Sequence, residues 1–364
     1  MSAPEPALVR LIDRVREAAA RGLPLRIRGG ATKDFYGESP VGEPLDLGEL
    51  SGILSYEPTE LVVTARGGTP LAELEAALES RGQCLPFEPP RFAAGGTVGG
   101  MVAAGLAGPA RASAGSVRDH VLGVTLLNGR AETLSFGGQV AKNVAGYDVS
   151  RLIAGSLGIL GVICDVSLKV MPVAVSRATL RFDCEEREAL DHFSRWAAQP
   201  LPINASAWHG GQLHVRMAGA RAAVNDACGR LGGAVVPPEV AEPWWRDIRD
   251  HRREFFTLTE ADRQAGKALW RLSVPATTPP LALPGEQCIE WHGAQRWWRT
   301  DASASVVRAA AAMAGGHATL VRGGDRRAGV FTPLDDALLR IHRSLKRAFD
   351  PASIFNRDRL YAGL

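Results

Sequence analysis

The chain has 364 residues, 46% of them hydrophobic and 22% charged, enough for about two globular domains with cores of their own. A net charge of +3, with arginines scattered along the sequence, argues against a nucleic-acid-binding protein. Five well-separated cysteines (Cys84, Cys164, Cys184, Cys228, Cys288) contain no Cys-x-x-Cys pair, which argues against a disulfide framework or an iron–sulfur ligand set. Residues 1–21 carry charges throughout and lack an apolar signal core. The most apolar stretch, 152–164, is too short and too glycine-broken to span a bilayer. A cytoplasmic protein is expected.

In chain order, Leu8, Leu11, Ile12, Val15 and Ala19 recur at helical spacing, with Gly22 as the stop. A strand through Leu25, Arg26 and Ile27 leads into Gly29-Gly30, and a second through Leu61, Val62, Val63 and Thr64 leads into Arg66-Gly67-Gly68. Thr69 and Pro70 read as N-cap and first position of a helix over 71–80, closed by Gly82. Residues 121–127, Asn128-Gly129 and 131–136 predict a hairpin. Asp165 to Val170 alternates strictly, with Val166, Leu168 and Val170 on one face, and Pro172 ends the strand.

After Pro172 the character changes: all eight tryptophans lie between Trp196 and Trp298. They read as core, or, in the pairs Trp244-Trp245 and Trp297-Trp298, as anchors for a partner surface. Arg246, Arg249, Arg252 and Arg253 read as one solvated helix face. Pro279, Pro280 and Pro284 suggest an irregular loop. Thr332-Pro333 opens an amphipathic helix with Leu334, Leu338, Ile341 and Leu345 on one stripe, ended by Asp350-Pro351. The expected organisation is residues 1–172, 173–329 and 330–364.

Fifteen of the forty glycines fall between Gly95 and Gly161. Glycine at that density is kept where backbone turns sharply or approaches a ligand closely. No Gly-x-Gly-x-x-Gly or Walker A sequence occurs. Ala154-Gly155-Ser156-Leu157-Gly158 lacks the helix that a nucleophile elbow needs after its serine. His209 and His214 flank a Gly210-Gly211 turn without a carboxylate at ligand spacing, so no metal is expected.

The ordered set is Arg28-Gly29-Gly30-Ala31-Thr32-Lys33, Gly95-Gly96-Thr97-Val98-Gly99-Gly100, Gly115-Ser116-Val117-Arg118-Asp119-His120, Lys142-Asn143-Val144-Ala145-Gly146 and Gly155-Ser156-Leu157-Gly158-Ile159-Leu160-Gly161-Val162-Ile163. This set resembles the vanillyl-alcohol-oxidase-type (PCMH) FAD-binding family, and within it is similar to the E-type FAD-binding subunits of bacterial glycolate oxidases. The resemblance resumes at Phe349-Asp350-Pro351-Ala352-Ser353-Ile354-Phe355-Asn356.

The resemblance implies an α+β fold: a PCMH-type domain of two α/β subdomains, a smaller α+β cap that serves as substrate or partner domain, and a C-terminal helix and tail that return to the FAD domain. It implies that Arg28, Gly29, Gly30, Ala31 and Thr32 hold the FAD pyrophosphate. Gly95, Gly96, Thr97, Val98, Gly99 and Gly100 would approach from the other side. Gly115, Ser116 and Asp119 would lie near the flavin, Gly161, Val162 and Ile163 near the adenosine half, and Asn356 in the returning tail. Ala31 and Thr32 stand where some relatives carry a flavin-linked histidine, so FAD is expected to be bound non-covalently.

The implied function is oxidation of glycolate, or another small 2-hydroxyacid such as D-lactate, with electrons passed to an iron–sulfur subunit. A paralogous FAD-binding catalytic subunit would complete the complex, and any contact with the inner membrane would run through these partners. Lys142, Asn143, Arg118 and His120 are the candidate catalytic groups, since hydride abstraction from a hydroxyacid needs a base and a cation. The second-domain Gly-His-x-x-Asp-Gly-Asn motif of related dehydrogenases is missing. Three readings therefore stay open: a catalytic subunit, an FAD-carrying relay or scaffold, and a stand-alone FAD dehydrogenase.

Overall fold

The computed structural model describes residues 5–138 and 149–364. Helix Pro6–Arg21 buries Ala7, Leu11, Val15 and Ala18, one face at helical spacing, and stops on Gly22 in the left-handed conformation (φ 64°). That face packs with Leu25, Leu45, Ile354 and Phe355 around a small parallel pair, Leu25–Arg28 with Glu43–Asp46. Beside it lies a five-stranded antiparallel sheet in the order Ile53–Glu57, Val62–Arg66, Val162–Lys169, Val121–Leu127, Thr133–Gly137. Helices Leu71–Glu79 and Val98–Ala104 cover it through Leu74, Leu78, Met101 and Val102.

Strand Val162–Lys169 is the central strand, which qualifies the simple in–out reading of its alternation. Ser167 is buried and its Oγ pairs with Thr64 Oγ1 at 2.8 Å, while Asp165 meets Arg66 at 2.6 Å. The polar face is thus matched across strands rather than solvated. Met171 and Pro172 form one further short pair, with Gln83–Cys84, and the extended run ends at Pro172 as expected.

An eight-stranded antiparallel sheet follows, with Ala234–Val236 and His317–Gly323 at its edges and strands Ile203–His209 and Glu286–Glu290 joined at its centre. Helices Glu186–Ala197 and Arg221–Leu231 bury Phe193, Trp196 and Val224 against Leu180, Leu213, Val215 and Met217. Helix Pro238–Arg249 places Ala241 and Trp245 against Ala205 and Ala207. Seven of the eight tryptophans are buried, Trp297 and Trp298 among them, so that pair is core and not a partner anchor. Arg249 ends its helix and pairs with Asp250 at 2.8 Å, and Arg253 lies over Trp244 beyond it. The four arginines therefore do not share one solvated helix face.

Three local expectations give way to tertiary demands. Pro70, not Thr69, caps helix Leu71–Glu79, because Thr69 Oγ1 is engaged with the backbone of Gly52 at 3.0 Å. Ala131 (φ 61°), not Gly129, takes the left-handed position of the hairpin loop. A Cβ on Gly129 would lie 2.4 Å from Asp350 Oδ1, so this glycine serves close approach. Helix Asp336–Phe349 is capped by Asp335, while Thr332 Oγ1 bonds to Ala318.

In that last helix Leu338 and Ile341 are exposed, and the fully buried side chain is Lys346. Its three N–H groups reach Ile159 O (2.7 Å), Asp350 Oδ2 (2.8 Å) and Phe355 O (2.8 Å). Asp350 in turn accepts from the amides of Ile354 and Phe355. Removing one partner of a buried ion pair strands the other. Lys346→Met is expected to lower the unfolding free energy by about 3 kcal/mol in urea titration; a change near zero would show that the pair is not needed.

Glu290 offers a second test. It is buried with no cation partner among the described residues, accepting from Trp297 Nε1 (2.6 Å) and Gln295 Nε2 (3.0 Å). Burial lifts its carboxyl to about 7. The folded state therefore holds a proton that the unfolded chain releases near the ordinary value of 4.5. Stability attributable to Glu290 falls as pH rises from about 4.5 to about 7, by on the order of 3 kcal/mol, and then levels. Glu290→Gln should remove that slope from the stability–pH curve.

Candidate functional site

Strand Leu25–Arg28 runs under the first helix and delivers its chain into the loop 29–33. A Cβ on Gly29 would fall 2.2 Å from Thr97 Oγ1, and one on Gly30 would fall 1.6 Å from the Gly95 carbonyl oxygen. The first and second glycine loops are thus pressed backbone to backbone, with Ala31 (φ 54°) turning the chain away. Among the described residues, the N–H groups of Gly29, Gly30, Ala31 and Thr32 make no hydrogen bond to protein. Unsatisfied amides in a row at a cleft are a ready anion site.

These amides border a cleft that opens to solvent. Arg28, Gly29, Gly30, Ala31 and Thr32 line one side, and Thr97, Gly99 and Gly100 another. Gly161, Ile163 and Asn356 close it. Asn356 is fixed by its amide: Oδ1 accepts from Ile27 N at 2.8 Å and Nδ2 donates to Leu157 O at 2.6 Å. A Cβ on Gly158 (φ 75°) would lie 2.6 Å from that Nδ2, so this turn too requires glycine.

Other predicted residues lie outside the lining. Gly95 and Gly96 back the first loop, and the side chains of Val98 and Val162 are buried in the two cores. Gly115 (φ 90°), Ser116 and Asp119 build a helix start, with Asp119 Oδ2 accepting from Ser116 N (2.8 Å) and Oγ (2.7 Å). Burial raises the Asp119 carboxyl, but these Ser116 bonds outweigh it and leave the net shift downward. His120 turns inward, donating from Nδ1 to Ser116 O at 3.1 Å beside Phe87, and burial holds its imidazole below the ordinary value. Arg118 is exposed. Lys142 and Asn143 lie outside the described residues.

Beside the expected Arg28, the cleft adds cations that pattern reading did not assign, Arg26, Lys33 and Arg359, against Asp34 as the acidic side chain among the described lining residues. Arg26 Nε is buried without a partner among the described residues. Arg359 donates to the carbonyls of Glu38, Asp34 (3.0 Å) and Lys33 (3.3 Å), holding the loop that follows the glycines. Unpaired amides, an orphaned guanidinium nitrogen and a surplus of cations fit a diphosphate-bearing cofactor.

Comparison with known proteins gives the same cofactor. Residues 10–151 match the FAD binding domain family, so the cofactor is FAD. The chain is 44% identical over 354 residues to the glycolate oxidase subunit GlcE of Escherichia coli, covering 97% of each. It is 30% identical over 160 residues to the glycolate oxidase subunit GlcD of Bacillus subtilis, covering 43% of this chain and 34% of that one. A D-lactate dehydrogenase of Anaerostipes hadrus is 33% identical over 148 residues, 40% of this chain and 30% of the relative. An alkyldihydroxyacetonephosphate synthase shares the fold at a TM-score of 0.63 and 14% identity, covering 96% of this chain and 74% of that one.

Gly30→Val should leave the far eight-stranded sheet intact yet part the two loops. Full-length protein carrying it is expected to purify without flavin absorbance, and full retention of flavin would remove this loop from the cofactor site. With near-complete coverage at 44% identity, the chain belongs to the family of the GlcE subunit of glycolate oxidase.

Proposed function

We propose that this chain is the FAD-carrying subunit of a complex that oxidises glycolate to glyoxylate, and that it acts there chiefly in electron transfer between a paralogous catalytic flavin subunit and an iron–sulfur subunit. The observation that carries this reading is the full-length likeness to a glycolate oxidase subunit, joined to a cleft furnished for cofactor binding. FAD, when bound, supplies a two-electron acceptor. The chain's own residues would bind and orient it: the amides of 29–32 and the surrounding cations would hold the phosphates, and Asn356, fixed by its bond to Ile27 N, would form the far wall. We further propose residues 1–172 as the cofactor domain, 173–329 as the cap and 330–364 as the returning segment.

The balance towards relay over independent catalysis comes from what faces the cleft. Among the described residues its lining holds no histidine or glutamate and a single carboxylate, Asp34, which is exposed, and His120 is committed to Ser116 O and Phe87. Deprotonating a hydroxyacid needs a base within hydrogen-bond reach of the hydroxyl. Onward transfer to another chain is supported by the cysteines: Cys164, Cys184 and Cys288 are buried in three separate cores. Among the described residues no group of three metal-ligating side chains converges. Likewise among these residues, no helix is long and apolar enough to cross a membrane. We place the subunit in the cytoplasm, with any membrane contact made through its partners.

The test is anaerobic addition of glycolate to the purified, flavin-loaded chain, followed by visible absorbance. The expected result is an unbleached flavin that becomes reduced once the partner subunits are added. Rapid bleaching of the lone chain would overturn the relay reading and make it a catalytic dehydrogenase subunit.

A further inference from the structure

Lys33 ends the first glycine loop and lines the cleft, yet no described residue gives it a counterion. Its Nζ has one hydrogen-bond contact, with the neighbouring Thr32 Oγ1 at 3.5 Å, and no ion pair among the described residues. It stands 3.8 Å from where a Cβ on Gly96 would sit, so it spans from the first loop to the second. The Phe92 ring centroid is 6.0 Å away, and Arg359 holds the Lys33 carbonyl at 3.3 Å. The backbone is thereby fixed while the ammonium is left unspent. A half-buried cation without a partner is costly, and a ligand anion repays that cost.

The neighbouring loop amides of 29–32 are also unpaired, and they point to which part of the cofactor the ammonium serves. Amide N–H groups grouped with a compact lysine charge suit phosphate oxygens. We propose that Lys33 is the cation that closes on the FAD pyrophosphate, bridging the two glycine loops across it. The proposal rests on the cleft being the FAD site.

The charged groups around Lys33 are Asp250 and Glu75, whose fields favour its charged form without touching it, and Arg26, Arg28, Asp34 and Arg359 of the cleft lining. Burial, the larger effect, brings its ammonium down to about 8. The sign follows from linkage. A bound diphosphate stabilises the charged lysine and raises its pKa, so FAD affinity is full below about 8 and declines as pH rises above it. The decline approaches tenfold per pH unit until the pKa of the bound form is reached.

The experiment is titration of the flavin-stripped full-length chain with FAD, followed by potentiometry of the reloaded protein. Lys33→Met is expected to raise the FAD Kd at least tenfold at pH 7, to abolish the decline above pH 8, and to leave the potential of bound flavin unchanged. Lys33→Arg should restore most of the affinity. Unaltered affinity in Lys33→Met overturns the proposal. Unaltered affinity with a lowered potential also overturns it and assigns the cation to the flavin ring. Should Lys33→Met fail to fold, by circular dichroism and thermal melting, Lys33→Arg and the wild-type pH titration decide in its place. Failure of the wild-type chain to bind FAD at all would instead remove the cofactor site itself, a separate result.

Discussion

The ammonium of Lys346 is the pivot on which the glycine-lined cleft depends. Its three donors are consumed by the loop carbonyl of Ile159, the carboxylate of Asp350 and the carbonyl of Phe355. Burial pulls its pKa down, yet full hydrogen-bond satisfaction by a carboxylate and two carbonyls offsets the cost of taking the charge from water. Those contacts set the path of the residues that follow. Leu25 N bonds to Ile354 O at 2.7 Å and Asn356 N to Leu25 O at 2.9 Å, so the tail joins strand Leu25–Arg28 as a short extra partner. The Asn356 side chain, the Gly158 turn and the mouth of the cleft are positioned from there.

How much of this could be read from the amino-acid string differs between the two halves. Helix Pro6–Arg21 was legible because its periodicity, its glycine stop and its buried face are all local. The glycine loops were legible because close backbone approach admits no other residue, as the clashes at Gly29 and Gly30 show. Thr69, Gly129 and Thr332 misled for a common reason: each looks like a local cap or turn residue but is used by a segment far away in sequence. Arg359 and Lys33 went unassigned because an arginine clamping three carbonyls and a lysine without a partner leave no spacing signature. Ser116 and Asp119 show the converse, a family motif whose side chains turn out to satisfy a helix start.

The eight-stranded sheet carries a different chemistry from the cleft. Its charged groups are drawn inward into pairs and carbonyl contacts: Arg216 with Glu88 at 2.7 Å, and Arg296 with the carbonyls of Gly293 and Thr278 at 2.7 Å. Trp291 Nε1 donates to Gly108 O at 3.0 Å, and Arg91 N to Asp250 Oδ1 at 2.8 Å. These last contacts join the sheet to the glycine-rich half through directional bonds, which favour one fixed seating over a sliding one.

The return of the tail to the first strand also orders events during synthesis. Asn356 and Ile27, joined by a hydrogen bond, are 329 residues apart in sequence. A chain emerging from the ribosome forms its first helix and first glycine loop early, but the wall that completes the cleft exists only after residue 356 has cleared the exit tunnel. On the proposed site, flavin capture would follow completion of this wall and add its stabilisation by mass action only to the finished chain.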